Sequence, residues 1–141
     1  MFLLKNGSVR ALDGINFPIF YSPEEDNLYL KVFHRNHLAM RSSNPLLFVN
    51  DTINYDFSLS ADMSIGGAFS QKQLAPGIWG MISGDGNADG QIDNRDKNKI
   101  WYEQEGSSGY FSGDFNMDSQ VDQDDKIVKW QYNVGKGIFL D

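Results

Sequence analysis

Residues 84–96 read GDGNADGQIDNRD, and residues 113–125 read GDFNMDSQVDQDD. When residues 84–108 are aligned with residues 113–137, ten of the 25 positions are identical. Within these stretches, residues 85–96 (the first loop) and 114–125 (the second loop) both carry Asp or Asn at loop positions 1, 3, 5, 9 and 12. A duplication that keeps this spacing indicates two copies of one structural unit.

The residue types in both loops are typical of calcium ligands. A calcium loop supplies about six to eight oxygens, from side chains at positions 1, 3, 5 and 9, the carbonyl at 7 and an acid at 12, with glycine at 6. Asp and Asn clusters also form Asx turns, but the duplicated spacing favours two Ca²⁺ sites. The candidate ligands are Asp85, Asn87, Asp89, Gln91 through its carbonyl, Asp93 and Asp96, and then Asp114, Asn116, Asp118, Gln120 through its carbonyl, Asp122 and Asp125.

A helix is predicted directly after each loop, over residues 96–105 and 125–132. Neither segment contains Gly or Pro, and each is followed by a glycine, Gly106 or Gly135, that can end a helix. The approaches to the loops are rich in Gly and Ser, so no entering helix is expected. Each repeat is therefore predicted to be a loop with an exit helix only.

The apolar residues of the repeats occupy equivalent positions. Ile92 and Val121 stand at loop position 8, where the side chain should point away from an ion and toward the core. Trp101 and Trp130 are equivalent on the exit helices, and we expect them to anchor a shared core, although exposed aromatic rings could instead stack on sugars. Because one repeat is too short to bury a core alone, the two should pack with approximate twofold symmetry.

At residues 84–137 the chain resembles the type I dockerin repeat, in which a tandem loop and exit helix follow the pattern G-D-x-N-x-D-G-x-I-x-x-x-D. It also resembles dockerin-like C-terminal regions of secreted or surface proteins from Bacteroidetes-type bacteria, in which a small β unit with an H-R-N-H-L stretch, here residues 34–38, precedes two such repeats. The resemblance implies a module that binds two Ca²⁺ ions. It also implies a location outside the cell or on its surface, within a longer secreted protein.

The resemblance implies a protein partner, and a cohesin-like domain is one candidate. At the positions where the family contacts cohesin this chain has different residues, including Lys97 and Lys126 directly after the loops. The alternative is an accessory module of a secreted polysaccharide-degrading enzyme that binds carbohydrate or only stabilises its host. The partner is therefore left open between another protein and a polysaccharide.

The first half of the chain favours β structure. Short runs of β-forming residues alternate with turn clusters up to about residue 59, which predicts a small β-sandwich over residues 1–64. Residues 65–79 are expected to be a connector, and residues 80–141 to hold the paired loop–helix unit. The predicted class is α+β.

Composition excludes several functions. The net charge of −7 and the lack of a basic patch argue against nucleic-acid binding, and no segment is long and apolar enough to span a bilayer. The chain has no cysteine and no recognisable nucleophile or phosphate-binding motif, so we do not expect an enzyme. His34 and His37 are expected to point to opposite faces of an extended strand and to have packing or surface roles.

Overall fold

The computed structural model describes residues 2–3, 8–19, 27–50 and 52–138 of the 141-residue chain. Within these ranges, short strands pair into two-stranded antiparallel sheets, each formed by strands that follow one another in the sequence. The strands are β1 (Phe2–Leu3), β2 (Val9–Arg10), β3 (Lys31–His34), β4 (His37–Arg41), β5 (Phe48–Val49), β6 (Thr52–Ile53), β7 (Gln71–Ala75) and β8 (Ile78–Met81).

Strands and helices both occur, so the α+β class is confirmed. A β-sandwich requires two sheets packed face to face through apolar residues, whereas the described part of residues 1–64 contains three separate two-stranded sheets. Apolar side chains on or beside these strands remain exposed, with Phe33 at 72% and Leu47 at 77%. The apolar alternation was therefore a correct signal of strands but not of a second sheet to cover them.

Residues 65–79, expected to be a connector, contain regular structure. A 3₁₀ turn spans Gly67–Phe69, and β7 pairs with β8 from Gln71↔Met81 to Ala75↔Ile78. The two residues between these strands are Pro76 and Gly77, and Gly77 has a φ of +73°, which glycine adopts without steric cost. The Pro-Gly pair therefore marks a hairpin turn.

Both predicted exit helices are present. The first exit helix runs over Asp96–Trp101 with π-type hydrogen bonds and continues as an α-helix over Tyr102–Gln104. The second exit helix repeats this pattern over Asp125–Trp130 and Gln131–Asn133. Each is followed within two residues by the predicted glycine, in the left-handed conformation (φ +85° at Gly106, +88° at Gly135), as is common where helices end.

The hydrophobic core lies mainly between the two repeats. Its buried members are Leu38, Ile82, Ile92, Trp101, Phe115, Val121 and Trp130. Leu38 comes from β4, in the predicted N-terminal domain, and its N–H donates to the Ile82 carbonyl at 2.8 Å. The hairpin formed by β3 and β4 therefore contributes to the same core as the acidic repeats. No helix in the described ranges is long and apolar enough to cross a membrane.

Candidate functional site

The first loop is closed by side-chain oxygens that accept backbone N–H groups. Asp85 accepts the N–H groups of Asp89 and Gly90, both at 3.1 Å. Asn87 Oδ1 accepts the Asp89 N–H, and Asp89 Oδ1 accepts the Gln91 N–H, both at 3.0 Å. These bonds curl the chain tightly, and the side-chain oxygens at positions 1 and 3 meet at the N–H of position 5.

The second loop repeats these hydrogen bonds position by position. Asp114 accepts the N–H groups of Asp118 and Ser119, both at 3.1 Å. Asn116 Oδ1 accepts the Asp118 N–H at 2.8 Å, and Asp118 Oδ1 accepts the Gln120 N–H at 2.9 Å. The duplicated sequence therefore folds into duplicated geometry.

The acid at position 12 joins the two ends of each loop. Asp96 is fully buried and accepts the N–H groups of loop positions 3 and 9 at 3.2 and 2.8 Å. Asp125, also fully buried, accepts the same two N–H groups of its own loop at 2.9 and 2.8 Å. Aspartate suits this position because its short side chain reaches back into the loop from the first turn of the exit helix.

Burial raises the pKa of several loop carboxylates. Burial, together with the nearby charges of Asp96 and Asp89, raises the pKa of Asp85 to about 6, although its hydrogen bonds from backbone N–H groups act in the opposite direction. Burial also raises the pKa of Asp96 and of Asp125. Closely spaced carboxylates of this kind are stabilised by a cation.

The carboxylate at position 9 of each loop accepts a hydrogen bond from the N–H of position 11. Asp93 Oδ1 accepts the Arg95 N–H at 2.7 Å, and Asp122 Oδ1 accepts the Asp124 N–H at 2.8 Å. The Arg95 guanidinium also lies 2.8 Å from Asp93 and 3.0 Å from Asp89. The hydrogen bonds from Arg95 lower the pKa of Asp93.

The predicted ligands do not form a cluster made of carboxylates and histidines alone. Nowhere in the described ranges do three Asp, Glu, His or Cys side chains converge closely enough to hold a metal ion by themselves. The predicted donor set also includes amide oxygens at Asn87 and Asn116 and the carbonyls of Gln91 and Gln120. Gln91 and Gln120 each lie in an isolated β-bridge, to Gly137 and Ser108 respectively.

The sharp turn predicted at position 6 is present in both loops. Gly90 has a φ of +84°, and Ser119 has a φ of +74°. A Cβ at Gly90 would lie 2.5 Å from the Ile138 carbonyl oxygen, so glycine is required there for space as well as for φ. Ala88 and Met117, at position 4, also have positive φ values of 57° and 64°, which the sequence did not indicate because neither residue type favours that conformation.

The two tryptophans connect the repeats reciprocally. Trp101 Nε1 donates to the Asp122 carbonyl at 2.8 Å, and Trp130 Nε1 donates to the Asp93 carbonyl at 2.9 Å. Trp101 is only 3% exposed and Trp130 only 8% exposed. Each exit helix therefore fixes position 9 of the other repeat's loop, which confirms the prediction that both tryptophans are core anchors.

Backbone pairing between the repeats follows the same symmetry. Residues 106–109, after the first exit helix, pair with residues 119–121 of the second loop, while residues 135–138 pair with residues 90–92 of the first. Ile92 and Val121 lie within these pairings and are 0% and 1% exposed, which confirms that position 8 faces the core. The repeats therefore form one interlocked unit.

A shallow cleft of about 470 Å³ lies between the exit helices. Lys126 Nζ stands 4.3 Å from the centre of the Trp101 ring, and Lys97 Nζ stands 5.3 Å from that of Trp130. The remaining lining residues are Asn98, Tyr102, Glu105, Gln123 and Gln131. The lysines directly after the loops thus lie against the tryptophans across the symmetry axis.

The turn between β3 and β4 contacts the second loop, which the sequence did not predict. The Arg35 guanidinium donates to the Phe111 carbonyl at 2.9 Å and to Asp114 Oδ2 at 3.2 Å, and it stacks on Tyr110 with its central carbon 3.9 Å from the ring centre. Asn36 Nδ2 donates to the Asp114 carbonyl. The one signal in the sequence was that Arg35 has no acidic residue close to it.

The expectation that His34 and His37 point to opposite faces was wrong. A tight turn lies between them, so their Nδ1 atoms are 3.0 Å apart and the rings meet edge to face. Burial, with smaller effects from the positive charges of His34, Arg35 and nearby lysines, lowers the pKa of His37 to about 4. His37 also contacts Asn36 Oδ1 at 2.7 Å. The pair belongs to the hairpin turn that packs on the second loop.

The fold and site together define a mixed α+β chain that carries two interlocked acidic loop–helix repeats. Comparison with protein-family models, with curated proteins and with solved structures found no significant match. The residues and hydrogen bonds of the two loops are therefore the main indication of function.

Proposed function

We propose that this chain is a calcium-binding, non-catalytic docking module of a secreted or cell-surface protein, and that it binds two Ca²⁺ ions. The observation that carries the proposal is that both loops have the same oxygen-bearing sequence and the same hydrogen-bonded path. Asp and Asn side chains together with carbonyl groups are the hard oxygen donors that Ca²⁺ prefers. The bound ions supply positive charge that holds closely spaced carboxylates together.

The donor chemistry of the loops fits the proposed ion. The first loop holds Asp85 and Asp96 nearly or fully buried, with raised pKa values, and a cation there relieves the repulsion between these carboxylates. Asn87 and Asp89 are both exposed and leave a path for the ion from solvent. The second loop has the same donors in the same order.

Exposed side chains on the exit helices support the docking part of the proposal. Tyr102 on the first exit helix is 70% exposed, and Tyr132 on the second is 75% exposed. Ile127 and Val128 are about half exposed beside them. Aromatic residues of this kind are enriched in protein interfaces, and a cohesin-like domain is one partner that fits the proposal.

The two tryptophans of the repeats do not support the alternative of a carbohydrate-binding accessory module. Sugar stacking needs an accessible ring face, whereas Trp101 and Trp130 are buried and donate their N–H groups within the protein. Affinity capture distinguishes docking from a purely stabilising role, because a stabilising module retains no partner.

The test of docking is affinity capture from a cell-surface extract, with the immobilised chain in Ca²⁺ or in excess chelator. The expected result is a protein retained only in Ca²⁺ and lost when both Asp85→Ala and Asp114→Ala are introduced. The matched control is Asp62→Ala, which removes a carboxylate from a 3₁₀ turn outside both loops. Retention of polysaccharide instead supports the accessory role, and capture of nothing specific in either buffer contradicts docking.

A further inference from the structure

We propose that Arg35 is an internal counter-cation for the second loop, which holds Asp114 in place without Ca²⁺ and thereby weakens Ca²⁺ binding there. This inference rests on the proposed function, and it concerns a positioning residue from outside the repeats. It makes the β3–β4 hairpin part of the second calcium site.

The contact between Arg35 and Asp114 is well supported by neighbouring groups. The guanidinium is held in place by the Phe111 carbonyl at 2.9 Å and by the face of Tyr110. The Arg35 side chain is 17% exposed and that of Asp114 is 1% exposed. An ion pair with this degree of burial is less screened by solvent and salt than a surface pair.

Asp114 uses its two oxygens differently. Oδ1 accepts the Asp118 N–H at 3.1 Å, while Oδ2 accepts both the Ser119 N–H at 3.1 Å and the Arg35 guanidinium at 3.2 Å. Both lone-pair directions of Oδ2 are thus filled, so Oδ1 is the oxygen left to face an ion. Arg35 therefore orients the carboxylate while it adds a positive charge close to the ion site.

Among the residues that the structure describes, the first loop has no equivalent of Arg35. Within the described ranges no arginine or lysine forms a salt bridge with Asp85, the residue at the same loop position. Arg95 contacts Asp89 and Asp93 instead, at the exposed rim, where its own side chain is 52% exposed. The two loops therefore differ in whether the position-1 carboxylate is neutralised from within the protein.

Two opposite effects follow from this difference. In the absence of Ca²⁺, Arg35 offsets repulsion among the second-loop carboxylates and stabilises the folded loop. When Ca²⁺ binds, the guanidinium is a like charge at short range, which lowers affinity because repulsion between two cations this close is only partly screened. The second loop should therefore depend less on Ca²⁺ for its folding than the first loop does.

The test compares the wild type with Arg35→Gln, Arg35→Lys and the control Arg95→Gln. Two-dimensional NMR titration follows Ca²⁺ binding at the Gly90 amide for the first loop and at the Ser119 amide for the second. We expect Arg35→Gln to bind Ca²⁺ about three- to tenfold more tightly at the second loop only, and to melt at a lower temperature in chelator.

The other variants complete the design. Arg35→Lys should keep second-loop affinity near the wild-type value but lose stability in chelator, because lysine keeps the charge without the planar fork. Arg95→Gln should change the Ca²⁺ affinity of the first loop and leave that of the second loop unchanged. Unchanged or weaker second-loop affinity in Arg35→Gln overturns the inference while leaving calcium binding intact, whereas a wild-type chain that binds no Ca²⁺ overturns both proposals.

Discussion

The first and second loops have the same internal hydrogen bonds but different support from the surrounding protein. The first has glycine at position 6 and a buried Asp85 that forms no salt bridge in the part of the chain that the structure describes, whereas the second has Ser119 in a left-handed conformation and Asp114 paired with Arg35. Local sequence thus determines the path of a loop, and contacts from elsewhere in the chain set its charge balance. We expect the second loop to be the weaker calcium site.

Removing a tryptophan should have the largest effect and should test whether the repeats are equivalent. Trp101→Ala and Trp130→Ala should each lower the free energy of unfolding by about 3–5 kcal/mol, because each leaves a cavity in the shared core. Chemical denaturation measures both losses. A large loss in one variant and almost none in the other would contradict the interlocked arrangement.

Exchanging the residues at position 6 should affect the two loops in opposite directions. Gly90→Ser should cost about 2–4 kcal/mol, since its Cβ would collide with the Ile138 carbonyl as well as adopt a positive φ. Thermal melting in Ca²⁺ and in chelator measures this loss. A loss of stability equal to the φ penalty alone, about 1 kcal/mol, would show that the backbone at Ile138 moves away and the collision does not occur.

The reverse exchange, Ser119→Gly, should be mildly favourable. Relief of about 1 kcal/mol of backbone strain is partly offset by the greater freedom of glycine in the unfolded chain. We expect Ca²⁺ affinity to rise several-fold at the second loop and to stay unchanged at the first, as measured by calorimetry or NMR. A loss of affinity would mean that the Ser119 hydroxyl supports the loop.

A further effect concerns pH. In chelator, the folded-state pKa of Asp85 is raised to about 6 from its ordinary value of 3.8. The stabilisation from this proton is complete below pH 3.8 and is lost as the pH rises through 6. Because Ca²⁺ competes with the proton, affinity at the first loop should increase between pH 5 and 7, measured at the Gly90 amide, and a flat profile would contradict the assignment.

Much of the acidic half could be predicted from residue types and spacing. Ile92, Val121, Trp101 and Trp130 lie in the core, and Gly106 follows its exit helix as expected. These features depend on local pattern and on a duplication that constrains both copies. The same periodic reasoning indicated β structure in the first half, but how the separate sheets pack depends on distant contacts that no local pattern contains.

The contact of Arg35 with the second loop and the place of Leu38 in the core could not be predicted, because both come from such distant contacts. Arg35 is 79 positions from Asp114, and nothing near Arg35 in the sequence indicates a loop carboxylate as its partner. His34 and His37 were misplaced because a turn, rather than an extended strand, separates them. Leu38 lies in the core of the repeats because docking of the β3–β4 hairpin brings its N–H to the Ile82 carbonyl.

Calcium binding by the two loops is tested most directly by calorimetric titration of the chelator-treated chain with Ca²⁺, alongside thermal melting. We expect two Ca²⁺ ions per chain, and about 2.7 kcal/mol of added stability from one site at a hundredfold excess over its dissociation constant. Asp85→Ala and Asp114→Ala should each remove one ion. Fewer than two ions in the wild type, or identical melting curves in Ca²⁺ and in chelator, would contradict the proposal that both loops are structural calcium sites.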